Sequence, residues 1–227
     1  MTSGDVDTIT KRSLEAQATD LVRRRIVSGD LGLGERLVET ALAERYGLSR
    51  GTIRAALRRL VDEGLVCQVP YAGYRVVDFS EHDLRELYTL RGALEALGAR
   101  LTAGWITTEG REQLRAAFQA LSAAASTDDQ AEANRCDHEL HLLIIRLSGN
   151  ERLVQHYARV ENQVRAYISL ANRTVDSHEI CESHRELVES ICAGDTERAG
   201  RLAEANVTFL SESASPGNAD AGQTDGR

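Results

Sequence analysis

Residues 34–73 constrain the fold of this 227-residue chain more than any other segment. Within it, residues 39–46 predict a short amphipathic helix with one apolar face. Gly47 follows, and a glycine at the end of a helix allows the positive φ that a sharp turn requires. Ser49 then predicts the start of a second helix, because its hydroxyl can accept hydrogen bonds from the free N–H groups of the first turn.

The second helix, predicted to run from Ser49 to about Glu63, has two distinct faces. Its buried stripe consists of three residues at helical spacing, Ile53, Leu57 and Leu60. Another face carries three arginines one turn apart, Arg50, Arg54 and Arg58. Arginines in this arrangement repel one another unless an anion lies alongside. A guanidinium group suits such an anion because it can donate two parallel hydrogen bonds to a phosphate or to a guanine.

Two short strands are predicted after this helix, at residues 65–69 and 74–78, and a glycine-containing turn joins them. The order of helix, glycine turn, capped helix and hairpin matches a winged helix-turn-helix, which binds DNA. The alternative is an ordinary solvated arginine face followed by a chance hairpin. On the first interpretation, the residues expected to contact DNA are Ser49, Arg50, Thr52, Arg54, Arg58, Tyr71 and Gly73.

Residues 14–77 resemble the DNA-binding domain of the GntR family of bacterial transcription regulators. The resemblance rests on Gly34, Leu37, Leu42-Ala43, Gly47, Ser49-Arg50, Ile53-Arg54, Ala56-Leu57, Leu60 and Gly64-Leu65. Two places depart from the family pattern. Gly51-Thr52 stands where Thr-Pro is usual, which would allow the backbone to approach DNA closely. Glu39-Thr40 stands where some relatives have an arginine, so that DNA contact is not expected here.

Composition and charge are consistent with two modest domains, mostly helical. Aromatic residues make up 4% of the chain, and it contains two prolines. The net charge is −8, but it is unevenly distributed. Residues 1–76 carry 12 basic and 10 acidic side chains, whereas residues 77–227 carry 15 and 25. The part predicted to bind DNA is therefore the basic part, and the acidic remainder should weaken non-specific DNA binding.

Other features point to a cytoplasmic protein. No apolar run approaches the roughly 18 residues that a membrane span needs, so no membrane association is expected. The acidic, polar N-terminus does not resemble a signal peptide. The four cysteines lack a CxxC spacing and are interpreted as reduced thiols.

The second half of the chain predicts six helices separated by short breaks. They span about residues 80–104, 107–125, 128–148, 151–172, 177–192 and 195–212. The expected fold is mainly α: an N-terminal winged helix-turn-helix joined to an all-α bundle of six or seven helices. We expect a flexible N-terminus (1–12), the winged domain (13–78), a helical domain for effector binding and dimerisation (79–212), and a disordered tail (213–227).

Four polar residues of the bundle occupy positions where helical periodicity favours apolar ones. Asp137 and His141 lie one turn apart on a buried face, and His184 and Asn206 fall inside apolar stripes. A buried carboxylate needs a cation or donors, and two imidazoles with an amide would suit a first-row divalent metal. The alternative is a set of hydrogen-bonded core residues. The remaining histidines are interpreted as surface residues: His82, His138, His156 and His178.

Residues 80–212 resemble the helical FCD effector domain of the FadR branch of GntR regulators. The matching residues are Leu90-Arg91-x-x-x-Glu95, Asp137-x-x-x-His141, Ser148-Gly149-Asn150, His184-x-x-x-Val188 and Gly194-Asp195-x-x-x-Ala199. The resemblance implies that Asp137, His141 and His184 hold a divalent metal, zinc or alternatively nickel. Asn206 stands where the family pattern has a third histidine, and an amide oxygen binds such metals less tightly. The alternative is a metal-free cavity, as in the acyl-CoA-sensing members.

The same resemblance implies a homodimer that binds a palindromic operator, most such proteins being repressors of catabolic genes. It also implies a small carboxylate effector at the metal. Arg91 and Arg165 are the candidates to hold that carboxylate, because a guanidinium pairs well with it. Tyr88 and Tyr167 are expected to line the same cavity. Two other hypotheses are a metal-dependent hydrolase, with His138 as base at the same metal ligands, and a redox sensor using Cys136 or Cys181.

Overall fold

The computed structural model describes residues 13–127, 129–170 and 177–213, and contacts within the chain separate two compact units between Asp78 and Phe79. The described residues form nine helices and one small sheet, which confirms the predicted, mainly helical fold. The segments expected to be a flexible N-terminus (1–12) and a disordered tail (213–227) lie outside the described residues, except for Ser213.

The N-terminal unit contains three helices and a three-stranded antiparallel sheet. These are α1 (Leu14–Val27), β1 (Arg36–Leu37), α2 (Glu39–Tyr46), α3 (Arg50–Asp62), β2 (Val66–Val69) and β3 (Gly73–Val76). Strand β3 lies between β1 and β2. The winged helix-turn-helix is therefore present. Strand β1 was not predicted, because two residues are too few to show the alternation by which a strand is recognised.

The turn between α2 and α3 forms as the sequence predicts. Gly47 ends α2 in the left-handed region, with φ of 63°. Ser49 then caps α3, because its hydroxyl oxygen accepts a hydrogen bond from the Thr52 N–H at 3.1 Å. The three apolar residues of the α3 stripe have no exposed surface and pack into the core of this unit: Ile53, Leu57 and Leu60.

The wing is the hairpin of β2 and β3. At its tip the Ala72 N–H donates to the Val69 carbonyl oxygen at 3.1 Å. Tyr71 adopts a φ of 61°, a conformation that costs a non-glycine residue roughly 1–2 kcal/mol. A proline followed by a residue of positive φ is typical of a type II turn, and glycine or asparagine is usual at the second position.

The C-terminal unit is a bundle of six helices in the described residues. They are α4 (Glu81–Trp105), α5 (Thr108–Ala125), α6 (Gln130–Leu147), α7 (Glu151–Leu170), α8 (Ser177–Ala193) and α9 (Thr196–Ser213). The long helix α4 packs against α6, α7, α8 and α9. Across the described residues, no helix combines the length and apolarity needed to cross a membrane.

Helix boundaries in the bundle are set by side-chain caps. Ser80 and Asp83 form a capping box at the start of α4. Between α6 and α7, Gly149 adopts a φ of 65°. The Asn150 side chain then accepts from the Leu153 N–H at 3.1 Å. The Ser148-Gly149-Asn150 motif therefore has a structural explanation as a helix stop followed by a helix start.

Two glycines near the α2–α3 turn should respond in opposite ways to replacement by alanine. Gly47→Ala should lower the free energy of unfolding of this unit by about 1–2 kcal/mol. A Cβ at Gly47 would meet no atom within 4 Å, so the loss would come from the left-handed backbone alone. Gly51→Ala should raise the same free energy by about 0.4–1 kcal/mol, because Gly51 lies in the first turn of α3.

Chemical denaturation of the full-length protein, followed by circular dichroism, measures both changes. The added Cβ at Gly51 meets only the Ser49 hydroxyl, at 3.6 Å, which is an ordinary contact. Equal stability of the two variants would show that the backbone conformation of Gly47 is not the reason for glycine at this turn.

Candidate functional site

The arginine face of α3 is exposed along its whole length. Arg50, Arg54 and Arg58 all lie on the surface, away from the buried stripe of the same helix. Arg50 and Arg58 form no ion pair with any described residue. Their guanidinium groups are therefore available to an external anion.

The polar residues at the start of α3 hold the helix end together. The Ser49 hydroxyl lies 2.8 Å from the Thr52 hydroxyl and also caps the Thr52 N–H. This arrangement gives both hydroxyls an internal partner, so contact of Ser49 and Thr52 with DNA stays a prediction. A cavity beside the turn is lined by residues of α2 and α3 that include Thr40, Gly47 and Arg50.

The wing tip presents an aromatic ring to solvent. Tyr71 is fully exposed, and its backbone has the left-handed conformation described above. Gly73, two residues on, has a φ of 85°. Backbone strain and an exposed aromatic ring at the same residue are common at binding sites. The structure therefore places Tyr71 where a wing-tip contact needs it, while the contact itself stays a prediction.

Arg54 differs from the other two arginines because it is already paired. Its Nε donates to Glu39 Oε1 at 2.8 Å, and its Nη2 donates to Glu39 Oε2 at 2.7 Å. The bond to Arg54 is the main cause of a lowered pKa for the Glu39 carboxyl group, and the charges of Arg50 and Arg58 add to it. In the sequence, Glu39 stands out only because some relatives have an arginine there. The Glu39–Arg54 pair is not evident from the sequence, since it joins two helices that no local pattern relates.

Three of the predicted metal ligands converge in the bundle. His141 of α6 and His184 of α8 bring their Nε2 atoms to 2.9 Å from each other. Asp137 Oδ1 lies 3.3 Å from His184 Nε2 and 3.6 Å from His141 Nε2. Both histidines are 1% exposed, and Asp137 is partly buried. One carboxylate oxygen and two imidazole nitrogens thus face a common point between α6 and α8.

These distances suit a divalent metal. Zinc-class ions bind imidazole and carboxylate at about 2.0–2.2 Å, which sets neighbouring ligand atoms about 3–3.5 Å apart in tetrahedral or octahedral geometry. The observed separations span that range. In addition, Asp137 Oδ1 is buried and accepts no hydrogen bond from the described residues. A buried acceptor without a donor is an atom that a cation would satisfy.

A carboxylate on α4 lies against one of the two imidazoles. Glu95 Oε2 is 2.8 Å from His141 Nδ1. A proton on Nδ1 would face this carboxylate and leave the Nε2 lone pair toward the common point. A carboxylate beside the second nitrogen of a histidine is the usual support for histidine ligands of a metal. In the sequence, Glu95 belongs to the pattern Leu90-Arg91-x-x-x-Glu95, from which this contact between helices does not follow.

Glu95 belongs to a larger buried network. Arg91 Nε donates to Glu95 Oε1 at 2.7 Å and lies 3.6 Å from Glu161 Oε2. The Tyr157 hydroxyl bridges the two carboxylates, at 2.8 Å from Glu95 and 3.2 Å from Glu161. His138 Nδ1 lies 2.7 Å from Glu161 Oε1. The network therefore runs from His141 on α6 to Glu95 and Arg91 on α4, and then to Tyr157 and Glu161 on α7. It returns to α6 at His138.

His138 was predicted to lie at the surface, but it is partly buried and bound to Glu161, because α6 turns that face toward α7. Arg91 was predicted to hold a ligand carboxylate. Its side chain is instead 2% exposed and shared by Glu95 and Glu161. A ligand carboxylate could therefore bind only those N–H groups of Arg91 that Glu95 and Glu161 do not occupy.

The network and the ligands together have a deficit of positive charge. With all histidines neutral, three carboxylates (Asp137, Glu95 and Glu161) face a single guanidinium, that of Arg91. Burial opposes protonation of His141, yet the charges of Glu95 and Asp137 outweigh it and raise the His141 pKa to about 10. The surroundings therefore require a cation at this point, and a divalent metal meets that requirement as well as a proton does.

Asn206, the fourth predicted ligand, is a buried residue of α9. It is 5% exposed, and its Nδ2 has no hydrogen-bond partner among the described residues. Ala203, one turn earlier on α9, lines a small cavity together with Glu95 and His141. A buried amide without a partner on this face of α9 is consistent with a role that a ligand or metal would complete, and its ligation stays a prediction.

The predicted effector residues differ in burial and in their contacts. Tyr157, Glu161 and Arg165 are spaced one turn apart on α7, so Arg165 extends the row that carries the network. Arg165 is partly buried and has no ion pair within the described residues. Tyr88 is buried, and Tyr167 is buried with its ring edge-on to Phe79 at 6.4 Å between centroids.

Two features bear on the alternative hypotheses. A metal-free acyl site needs a spacious cavity, and the cavity that adjoins His141 among the described residues is too small for a water molecule. A groove of about 340 Å³ lies elsewhere, between α5 and α8, and includes none of the metal-ligand candidates. A redox sensor needs a reactive thiolate, whereas Cys136 and Cys181 are buried and burial raises the pKa of Cys136.

Comparisons with known proteins agree with both halves of the structure. The family model described as bacterial regulatory proteins of the gntR family matches residues 14–76. The family model described as the FCD domain matches residues 86–208. Together the two matches include α3 with its arginines and all four metal-ligand candidates.

Curated relatives and solved structures lead to the same family. A probable D-xylose utilization operon transcriptional repressor from Paenarthrobacter nicotinovorans is 28% identical over 84% of each chain. The HTH-type transcriptional repressor GlaR from Escherichia coli K12 is 30% identical over 80% of this chain and 86% of its own. The fold is similar to that of E. coli McbR/YncC, with a TM-score of 0.75 at 21% identity over 88% of this chain and 96% of that one. This chain is therefore a transcriptional regulator of the GntR family, with an FCD domain C-terminal to its winged helix-turn-helix.

Proposed function

We propose that this protein is a homodimeric, cytoplasmic repressor whose two winged units bind a palindromic operator. A small carboxylate, bound at a divalent metal in the FCD domain, changes that affinity. The observation that carries the proposal is the convergence of Asp137, His141 and His184 in a domain joined to an arginine-faced helix. Two similar relatives are named as repressors, one of them of a D-xylose utilization operon, which supports repression of catabolic genes here.

Binding to DNA depends on the exposed arginines of α3. Arg50 and Arg58 flank Arg54 by one turn on each side, and neither forms an ion pair with a described residue. An α-helix fits the major groove of DNA, where such arginines reach phosphates or guanine edges. The strained wing tip at Tyr71 would contact the backbone or the neighbouring groove.

Two adjacent arginines of α3 should differ sharply in their effect on DNA binding. Arg58→Ala should weaken binding and reduce the slope of log affinity against log salt by about 0.9 per unit, since one phosphate contact is lost. Arg59→Ala should change neither quantity. Arg59 lies on another face of the helix, where it pairs with Glu15 at 3.5 Å. Fluorescence anisotropy titrations at several salt concentrations, on a duplex selected by the wild type, measure both. Equal behaviour of the two variants would contradict the assigned DNA-binding face.

The proposed metal is zinc, with nickel as the alternative. Asp137, His141 and His184 would provide three ligands, and Asn206 a weaker fourth through its amide oxygen. A metal with two imidazoles and one firm carboxylate keeps a coordination position for an exogenous oxygen ligand. The chemistry that a bound metal supplies here is therefore the binding of a carboxylate effector. Arg165 is the candidate for the second end of that effector, because its guanidinium has no ion pair among the described residues.

Removal of one imidazole should abolish both metal and effector binding. After incubation with zinc and dialysis, plasma mass spectrometry should find about one metal per chain in the wild type. His141→Ala should contain almost none, and the exposed His82 provides a control, because His82→Ala should bind metal as the wild type does. Nickel is tested in the same way. Absence of both metals from the wild type would show that the site does not function as a metal site.

Effector binding is measured on the same proteins by thermal denaturation with acetate, lactate, malonate, succinate and citrate. At least one should raise the unfolding midpoint of the metal-loaded wild type, since a ligand at 100 times its Kd stabilises by about 2.7 kcal/mol. The shift should vanish after chelation and in His141→Ala, and Arg165→Ala should reduce it. A shift that survives chelation would place the effector elsewhere.

Dimerisation has a candidate surface on α4. An apolar stripe with heptad-like spacing lies outside the bundle core on this helix, and its most exposed members are Leu90, Leu97 and Trp105. A repeat of this kind favours pairing with another helix. Pairing with a second copy of the chain buries the two equivalent stripes against each other across a two-fold axis. The symmetry of such a dimer matches the symmetry of a palindromic operator.

A charge in this stripe should separate the subunits. Leu97 is 41% exposed in the single chain, so Leu97→Glu should leave the fold intact while weakening the dimer by at least about tenfold. Leu14→Glu, at a more exposed leucine of α1, should leave the dimer unchanged. Sedimentation velocity over a concentration series measures the equilibrium. A dimer of unchanged strength in Leu97→Glu would assign the interface to another face.

A further inference from the structure

The geometry points to a positioning role for Glu39: we infer that it holds the guanidinium of Arg54 side-on, so that the opposite edge of Arg54 reads a guanine and not a phosphate. This inference rests on the proposed DNA-binding role of α3. It adds a specificity determinant from α2, at a position where family resemblance had led us to expect a missing contact.

The bond between the two side chains is a parallel fork. Both carboxylate oxygens of Glu39 are used, one by Nε and one by Nη2 of Arg54, at 2.8 and 2.7 Å. Such bidentate pairs fix the orientation of a guanidinium plane as well as its position. Arg54 is the middle arginine of the face. Its orientation therefore determines which N–H groups the centre of α3 presents to DNA.

A guanidinium group has two edges that can each form a pair of hydrogen bonds. Glu39 occupies the edge formed by Nε and Nη2. The edge formed by Nη1 and the second hydrogen of Nη2 is left for another ligand, and Nη1 has no partner within the described residues. Guanine O6 and N7 accept such a pair in the major groove. The Arg54 side chain is 46% exposed, so this second edge can be reached.

Glu39 is well placed to stay charged while it does this. It is the first residue of α2, where the helix dipole favours an anion. Its side chain is only 18% exposed, and Arg50 and Arg58 lie close enough to lower the pKa of its carboxyl group further. A carboxylate in this position repels phosphate. It therefore lowers the affinity of this face for arbitrary DNA while leaving recognition of a base edge possible.

Glu39→Gln tests the inference directly. The variant should bind a scrambled duplex more tightly than the wild type does, with a salt slope steeper by about 0.9 per winged unit, since Arg54 is then free to bind phosphate. It should also lose the preference for guanine at one base pair of the selected site, a preference of about 5- to 150-fold for a bidentate contact. Glu44→Gln is the matched control. It removes the same charge from an exposed residue of α2 that pairs with no described residue.

The experiment first selects a binding site for the wild type from a pool of randomised duplexes. Anisotropy titrations then compare the variants on that site, on its single base-pair substitutions and on a scrambled duplex. Arg54→Lys is included because it keeps the charge but cannot form a fork. It should lose the guanine preference and retain the salt slope. Thermal unfolding of every variant confirms that the winged unit is folded.

The outcomes separate this inference from the proposed function. If Arg54→Ala removes the guanine preference but Glu39→Gln behaves as Glu44→Gln does, the role of Glu39 is wrong and the DNA-binding face stands. If Arg54→Ala changes no base preference, Arg54 does not contact a base, and the inferred role of Glu39 is wrong. If Arg54→Lys keeps the guanine preference, the fork geometry is not what recognises the base, and the inference is overturned.

Discussion

The buried ion pair between Arg91 and Glu95 is the interaction on which the arrangement of the helical domain depends. Both side chains point into the bundle from α4, and neither can remain there without partners because an uncompensated buried charge is unstable by several kcal/mol. Those partners come from other helices: Tyr157 and Glu161 from α7, and His141 from α6. A packing that leaves any of these groups unpaired is therefore disfavoured. The observed packing also brings His141 to His184 of α8 and so assembles the candidate metal ligands.

Each of the two functional regions uses a carboxylate to orient a nitrogen-containing group. Glu95 lies against Nδ1 of His141, and Glu39 holds the plane of Arg54. In both cases the carboxylate lies on a helix other than the one that carries its partner. The direction of a group held from a second helix depends on how the two helices pack. The chemistry of each region is thereby tied to the packing of the fold.

Local patterns in the sequence predict much of this structure, and their failures share one physical cause. The stripe of α3, its Ser49 cap and the shared face of Asp137 and His141 all follow from helical periodicity, which a single segment contains. The Glu39–Arg54 pair and the partial burial of His138 against Glu161 depend on how separate helices pack. The two-residue strand β1 exists only because β3 offers it hydrogen bonds. No spacing within one segment contains that information.

The long helix α4 provides a physical route by which the metal site and a dimer could influence each other. At about 100° per residue, Arg91 and Glu95 fall about 100–160° away from Leu90 and Leu97 around this helix. One face therefore belongs to the charged interior and the other to the exposed apolar stripe. A helix with little internal flexibility transmits a shift of one face to the other, so a ligand that repositions the Glu95 contact would displace the stripe as well. Because two winged units must match the spacing of a palindrome, a displacement at the dimer contact would change affinity for DNA without altering any residue that touches it.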